Sequence, residues 1–185
     1  MADPDGVIAA AEKVSDILAA EGVDALVIGA IALAAHGYVR FTDDLDLGVN
    51  TDLRTLHRVA LALRTAGFEV ELREPDGADP LGGVVDVRGS FGLVQIVNYG
   101  GRFPAVIDGG IAVADTVVRP GSTLRIVPLP HLVALKLYAG GAKSRADIVE
   151  LLSRNPEVDT AAIRTLCRGW RLGGLDPLID EAAGS

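Results

Sequence analysis

Two aspartates one residue apart, Asp44 and Asp46, stand in the segment Arg40-Phe41-Thr42-Asp43-Asp44-Leu45-Asp46-Leu47. On an extended strand, side chains i and i+2 leave from one face, so both carboxylates converge while Leu45 and Leu47 turn to a core. Carboxylates held that close repel, and burying them uncompensated is expensive. A hard divalent cation relieves the conflict, since Mg²⁺ takes carboxylate oxygens together with substrate phosphates and water. Such a metal polarises a phosphate and screens charge in phosphoryl-type transfer. An Asp-x-Asp pair also occurs at many strand edges and turns, so its surroundings must decide. Gly29 separates an apolar run from a short helical run, whose first amides could meet a triphosphate; an ordinary strand–helix turn would look the same. Lys136 lies between Leu135 and Leu137 in an apolar helical run. An unpaired ammonium is costly there unless it snorkels to solvent. Lys143 and Asp147 have i,i+4 spacing, which also suits a plain surface salt bridge.

The elements that must hold these residues follow from periodicity. Asp3 or Asp5 can cap a first helix to about Glu21, with Ile8, Ala11, Val14, Ile17 and Leu18 on one face and Gly22 at its end. Residues 25–29 read as a buried strand, 31–37 as a short helix and 45–49 as a second strand. Thr51 or Asp52 then caps a helix to about Ala66 that buries Leu53, Leu56, Val59, Ala60 and Leu63. Residues 68–74 alternate as a third strand. A turn-rich stretch, 74–83, precedes a hairpin of 83–89 and 93–99 around Ser90-Phe91. Pairs across that turn sum to 181, which puts Asp86 opposite Gln95 on one face. Residues 100–123 support no assignment. Residues 124–129 read as a last strand, and helical periodicity follows at 131–140, 143–154, 159–170 and from about 176. The expectation is an α/β (α+β) core over 1–129 followed by a helical subdomain over 130–185.

With 185 residues, 49% of them hydrophobic, the chain can build a core and is not of the disordered class. Its longest apolar run, Ala25 to Ala35, is too short to span a bilayer. The N-terminal residues show no basic n-region, so neither a signal peptide nor a membrane partner is expected. The single cysteine, Cys167, excludes an internal disulfide, fits a cytoplasmic location, and reads as a small hydrophobe. A net charge of −8 argues against broad charge-driven binding to nucleic acid. Residues 131–171 nonetheless carry seven Lys/Arg against four Asp/Glu, leaving room for a local anion-binding face or simply solvated helix surfaces.

The stretch IGAIALAAHGYVRFTDDLDLGV (28–49) resembles the first motif of the nucleotidyltransferase superfamily, and most nearly its AbiEii-type toxin–antitoxin members. Gly29, His36, Gly37, Arg40, Thr42, Asp44 and Asp46 all fall on that pattern. A second stretch, 128–152, is similar to the family's helical segment. The resemblance implies a nucleotidyltransferase fold, with a mixed sheet flanked by helices, and an Mg²⁺- (or Mn²⁺-) dependent transfer of a nucleoside monophosphate from a nucleoside triphosphate to an acceptor hydroxyl. It implies Asp44 and Asp46 as metal ligands, with Gly29, Ala30, Arg40, Thr42 and Lys143 toward the phosphates. Lys136 joins the phosphate contacts, and Asp147 acts as base or orienting acid. An RNA or tRNA acceptor and an antitoxin partner are implied as well. An antibiotic-type small-molecule acceptor and a catalytically degenerate nucleotide- or partner-binding module are the alternatives. Two departures matter: Ala30 offers no hydroxyl, and Gln95 stands where a third carboxylate is expected unless Asp86 supplies it to the metal.

Overall fold

The computed structural model describes residues 4–40, 42, 44–77 and 80–184; Asp3, Phe41 and Asp43 of the expectations above lie outside them. Helix α1 (Pro4–Ala20) buries Val7, Ala10, Ala11, Val14 and Leu18 along one stripe. Strand β1 (Ala25–Ile28) leads straight into helix α2 (Gly29–Ala35), so Gly29 is the first helical residue rather than the last of the strand. Strand β2 (Asp44–Val49) follows, and helix α3 (Leu53–Thr65) is capped by Asp52, whose carboxylate accepts the Thr55 N–H at 2.8 Å. The apolar stripe of α3 is Leu56, Val59, Ala60 and Leu63; Leu53, expected in it, sits on the first turn and stays 37% exposed.

Strands β3 (Glu69–Arg73), β4 (Val84–Gly89) and β5 (Gly92–Asn98) complete a five-stranded mixed sheet of order β1-β2-β5-β4-β3. The β4–β5 register runs from Val84↔Val97 to Gly89↔Gly92, so Ser90-Phe91 is the turn and Asp86 faces Gln95, as the pairing rule predicts. β2 and β5 are parallel, and every other neighbouring pair is antiparallel. Leu45, Leu47, Val85, Val87, Val94 and Ile96 point to the α1/α3 side and are fully buried there.

The stretch without an assignment contains helix α4 (Pro104–Val113), which packs on β1 and β2 from the opposite side. The expected strand at 124–129 is corrected. Residues 125 and 126 make only isolated bridges, Arg125 with Val117 and Ile126 with Val27 of β1, where the Val27 N–H donates to Arg125 O (2.8 Å) and the Val127 N–H to Val27 O (3.0 Å). Pro128 has no N–H to extend the ladder, and helix α5 (Leu129–Ala139) starts at once with Pro130 in its first turn. Helices α6 (Gly141–Arg154), α7 (Thr160–Gly169) and α8 (Asp176–Ala183) follow, each starting within two residues of its expected place. α5 packs on α4, α6 and α7, and the buried apolar residues from α1 to α8 form one contiguous core. Among the described residues, no helix is long and apolar enough to cross a membrane. Cys167 is buried in this core, which pushes its thiol up to about 11, so the small-hydrophobe reading holds.

Candidate active site

The even-numbered residues of β2 face α4: a Cβ on Gly48 would lie 2.8 Å from Ile107 Cδ1 of that helix. Asp44 and Asp46 share this face and, unlike Leu45 and Leu47, remain partly accessible. The Thr42 hydroxyl contacts an Asp44 carboxylate oxygen, and the Asp44 N–H approaches Thr42 Oγ1 at 3.4 Å, so this threonine orients the first acid. Asp46 lies between Ile28 of β1 and Gln95 of β5 in the sheet register. Its carboxylate occupies the space a side chain on Gly29 would need, because a Cβ there would fall 1.8 Å from Asp46 Oδ2. Gly29 also has φ +68°, a left-handed conformation that costs other residues about 1–2 kcal/mol. Gly29→Ala is therefore expected to destabilise the fold by about 2 kcal/mol and to displace the second acid. Urea unfolding checks the first effect, and metal titration checks the second.

The Asp46 carboxyl is raised from 3.8 to about 6, first by burial and then by the Asp44 charge, with Lys136, Arg40 and Lys143 pulling against both. Among the described residues neither Asp44 nor Asp46 makes an ion pair. Negative charge is thus concentrated and incompletely compensated at the N-terminal half of β2.

The nearest cations are fixed by a third aspartate. Asp147 of α6 is 2% exposed; its Oδ2 accepts from Lys136 Nζ at 2.7 Å, and its Oδ1 lies 3.4 Å from Arg40 Nη1. Lys136 neither snorkels nor stands unpaired, and Asp147 bonds to it rather than to its i+4 partner Lys143. Lys143 is exposed near the start of α6 and has no ion-pair partner among the described residues. Arg40 Nε is buried without a hydrogen-bond partner. The Ala30 methyl is buried in α2, so only backbone at that position could face a ligand. His36 links elements, its Nε2 lying 2.8 Å from Val127 O and its carbonyl accepting from Asn155 Nδ2 at 2.8 Å.

Asp46, Gly29, Gln95, Tyr99, Leu132, Lys136 and Ser144 line one cleft of about 220 Å³ between the sheet and α5/α6. Sequence reasoning did not single out Tyr99 or Ser144. Tyr99 reads as an ordinary strand-end aromatic, yet its hydroxyl is pushed far up by burial and by the Asp46 charge. Asp86 stands opposite Gln95 as expected, but its carboxylate is already engaged. It lies one strand beyond Gln95, is 4% exposed, and is held by Arg73 Nη2 (3.0 Å), Arg88 Nη2 (3.1 Å) and Gln95 Nε2 (2.7 Å). To serve as a metal ligand it would have to leave three donors. Arg88 at i+2 from Asp86 was the available signal for this pairing. Among the described residues, no group of three or more His, Cys, Asp or Glu is arranged to hold a metal ion.

No family model matches the chain, and no curated protein matches it in sequence. Solved structures do. A nucleotidyltransferase-like antigenic protein from Paracoccidioides brasiliensis is 16% identical, with 98% of this chain and 94% of that one covered and a TM-score of 0.56. The antibiotic-resistance factor ANT(2″)-Ia in solution is 15% identical, with 89% and 90% covered and a TM-score of 0.54. Likeness of this degree establishes the fold, which is that of the nucleotidyltransferases. The narrower AbiEii-type resemblance rests on the motif residues alone.

Proposed function

We propose that the chain transfers a nucleoside monophosphate from a nucleoside triphosphate to an acceptor hydroxyl, with Asp44 and Asp46 holding Mg²⁺ or Mn²⁺. The observation that carries this reading is the incompletely compensated acid pair on one face of β2, whose Asp46 lines a cleft together with Lys136. The donor set fits a hard cation, since both acids are accessible and neither has a protein counter-ion among the described residues. Bound there, the metal supplies charge neutralisation at the reacting phosphate.

The remaining roles belong to this chain's own residues. Thr42 fixes Asp44, and the bare backbone of Gly29 leaves room for the Asp46 carboxylate. Lys136 and Lys143 steady phosphate oxygens from opposite ends of the α5–α6 turn, and Arg40 adds a guanidinium whose Nε awaits an acceptor. Asp147 already accepts from two cations, so it serves as the orienting acid rather than the base. Positioning and charge complementarity supply most of the rate. Exposed Lys143 and Arg145 flank Ser144 of the cleft lining in sequence and favour an RNA end as acceptor, the choice with which a toxin role is compatible.

Isothermal titration with each of the four NTPs, with and without Mg²⁺, tests the reading against the Asp44→Asn/Asp46→Asn double variant. Metal-dependent binding in the wild type alone supports it. Folded wild type that binds no NTP overturns it in favour of a degenerate binding module. Transfer of α-phosphate label to RNA, rather than to an aminoglycoside-type small molecule, distinguishes the acceptors.

A further inference from the structure

The site has two acids where a third would be expected, and the side chain in the third place is an amide whose direction is fixed. Gln95 stands beside Asp46 in the parallel β2–β5 register and opposite Asp86 in the β4–β5 hairpin. Its side-chain nitrogen donates to Asp86 Oδ1 at 2.7 Å. An ionised carboxylate only accepts, so the NH₂ end of the amide must face Asp86. The oxygen is on the other arm of the same planar group, and β5 lies between β4 and β2. With its nitrogen held by Asp86, Gln95 keeps its carbonyl arm for the cleft that it lines together with Asp46.

Asp86 can hold this orientation because it is buried and its charge is met by Arg73 and Arg88. The two arginines occupy Oδ1 and Oδ2, and Gln95 shares Oδ1. Three donors thus converge on one buried carboxylate, which makes it a fixed acceptor.

Resting on the proposed metal site at Asp44 and Asp46, we infer that Gln95 Oε1 is a neutral third ligand for the divalent cation, with Asp86 as the residue that aims it. Amide oxygens are ordinary ligands for hard cations. The consequence is a site with two formal negative charges instead of three. The bare protein then holds the metal weakly, and triphosphate oxygens complete the coordination. Metal and nucleotide bind as a pair.

The test uses the full chain and follows Mn²⁺ by electron paramagnetic resonance, alone and with a non-hydrolysable NTP analogue. Wild type is expected to bind Mn²⁺ tightly only with the analogue. Gln95→Leu is expected to weaken Mn²⁺ in that ternary complex by about tenfold, and Asp86→Asn by about ten- to hundredfold, as for other outer-shell partners of metal ligands. Gln95→Glu/Asp86→Asn exchanges acid and amide and keeps the hydrogen bond between them. It is expected to bind Mn²⁺ at least tenfold more tightly than wild type without nucleotide. That gain cannot come from misfolding, and circular dichroism checks the two single variants. Ternary affinity unchanged in Gln95→Leu, or no gain in the exchanged pair, overturns the role of Gln95 while leaving the Asp44/Asp46 site standing. Wild type that binds no Mn²⁺ even with the analogue overturns the metal site itself, and this inference falls with it.

Discussion

Lys136→Met is expected to destabilise the protein by about 3–5 kcal/mol, the usual cost of removing one partner of a buried ion pair. Asp147 is 2% exposed and, among the described residues, its only other cationic partner is Arg40, at a longer 3.4 Å. Methionine matches the lysine stem in volume, so the cost comes from the stranded carboxylate and not from a cavity. For a chain of this size the melting temperature should fall by about 10 °C. Lys136→Met/Asp147→Leu removes both charges and should recover most of the stability, because well-packed apolar replacements of buried pairs are often neutral. Nucleotide transfer should not recover. The double variant lacks the ammonium at the cleft and the anchor for Arg40, and its rate should stay down by at least about 100-fold, as for loss of a preorganised charge-stabilising donor. Urea unfolding and a transfer assay on the same preparations separate the two effects. A double variant as unstable as Lys136→Met would mean that Lys136 acts through packing, and the orienting role of Asp147 would fail. A double variant as active as wild type would remove Lys136 from the phosphate contacts.

What the sequence made legible were the features whose physics is local. The acid pair follows from period-two projection on β2, the hairpin register from a two-residue turn, and the α3 stripe from 3.6-residue spacing. Helix α4 was hidden because its evidence is tertiary. Gly109 and Gly110 weaken any helical signal in a stretch that supports no assignment, yet a Cβ on Gly110 would sit 2.7 Å from Leu26 Cδ1, so the glycine allows helix and sheet to approach. The pairing of Lys136 with Asp147 was hidden for a related reason. Eleven residues separate them across the Gly140-Gly141 turn, and only the folded angle between α5 and α6 makes them partners instead of Lys143 and Asp147. Asp86 shows the limit most clearly. Register placed it opposite Gln95 correctly, but whether its charge was spent depended on Arg73 from a strand that pairs with β4 across a turn-rich loop. Local pattern gives the face a residue occupies, whereas the partners on that face are set by strand order.

Asp46→Asn is expected to stabilise the protein while abolishing transfer, and the gain should depend on pH in a defined direction. The carboxyl titrates near 6 in the fold, raised first by burial and then by Asp44, against 3.8 in the unfolded chain. Below about pH 4 it is protonated in both states and contributes nothing. Between 4 and 6 the folded state still holds a proton that the unfolded state has released, so stability falls as pH rises. Above 6 the full penalty, about 3 kcal/mol, is present and constant. Asparagine carries no charge at any pH, so the two melting curves should nearly coincide at pH 4 and separate by up to that amount at pH 8, with the variant the more stable. Divalent metal with an NTP analogue should stabilise wild type at pH 8 and leave the variant where it is, narrowing or reversing the gap. The same charge that weakens the empty fold is then the one that binds, a cost retained because the site needs it. If Asp46→Asn proves less stable than wild type at pH 8 without metal, Lys136 and Arg40 already neutralise this carboxylate in the free protein. The electrostatic case for a cation at β2 would then be lost, whatever the transfer assay shows.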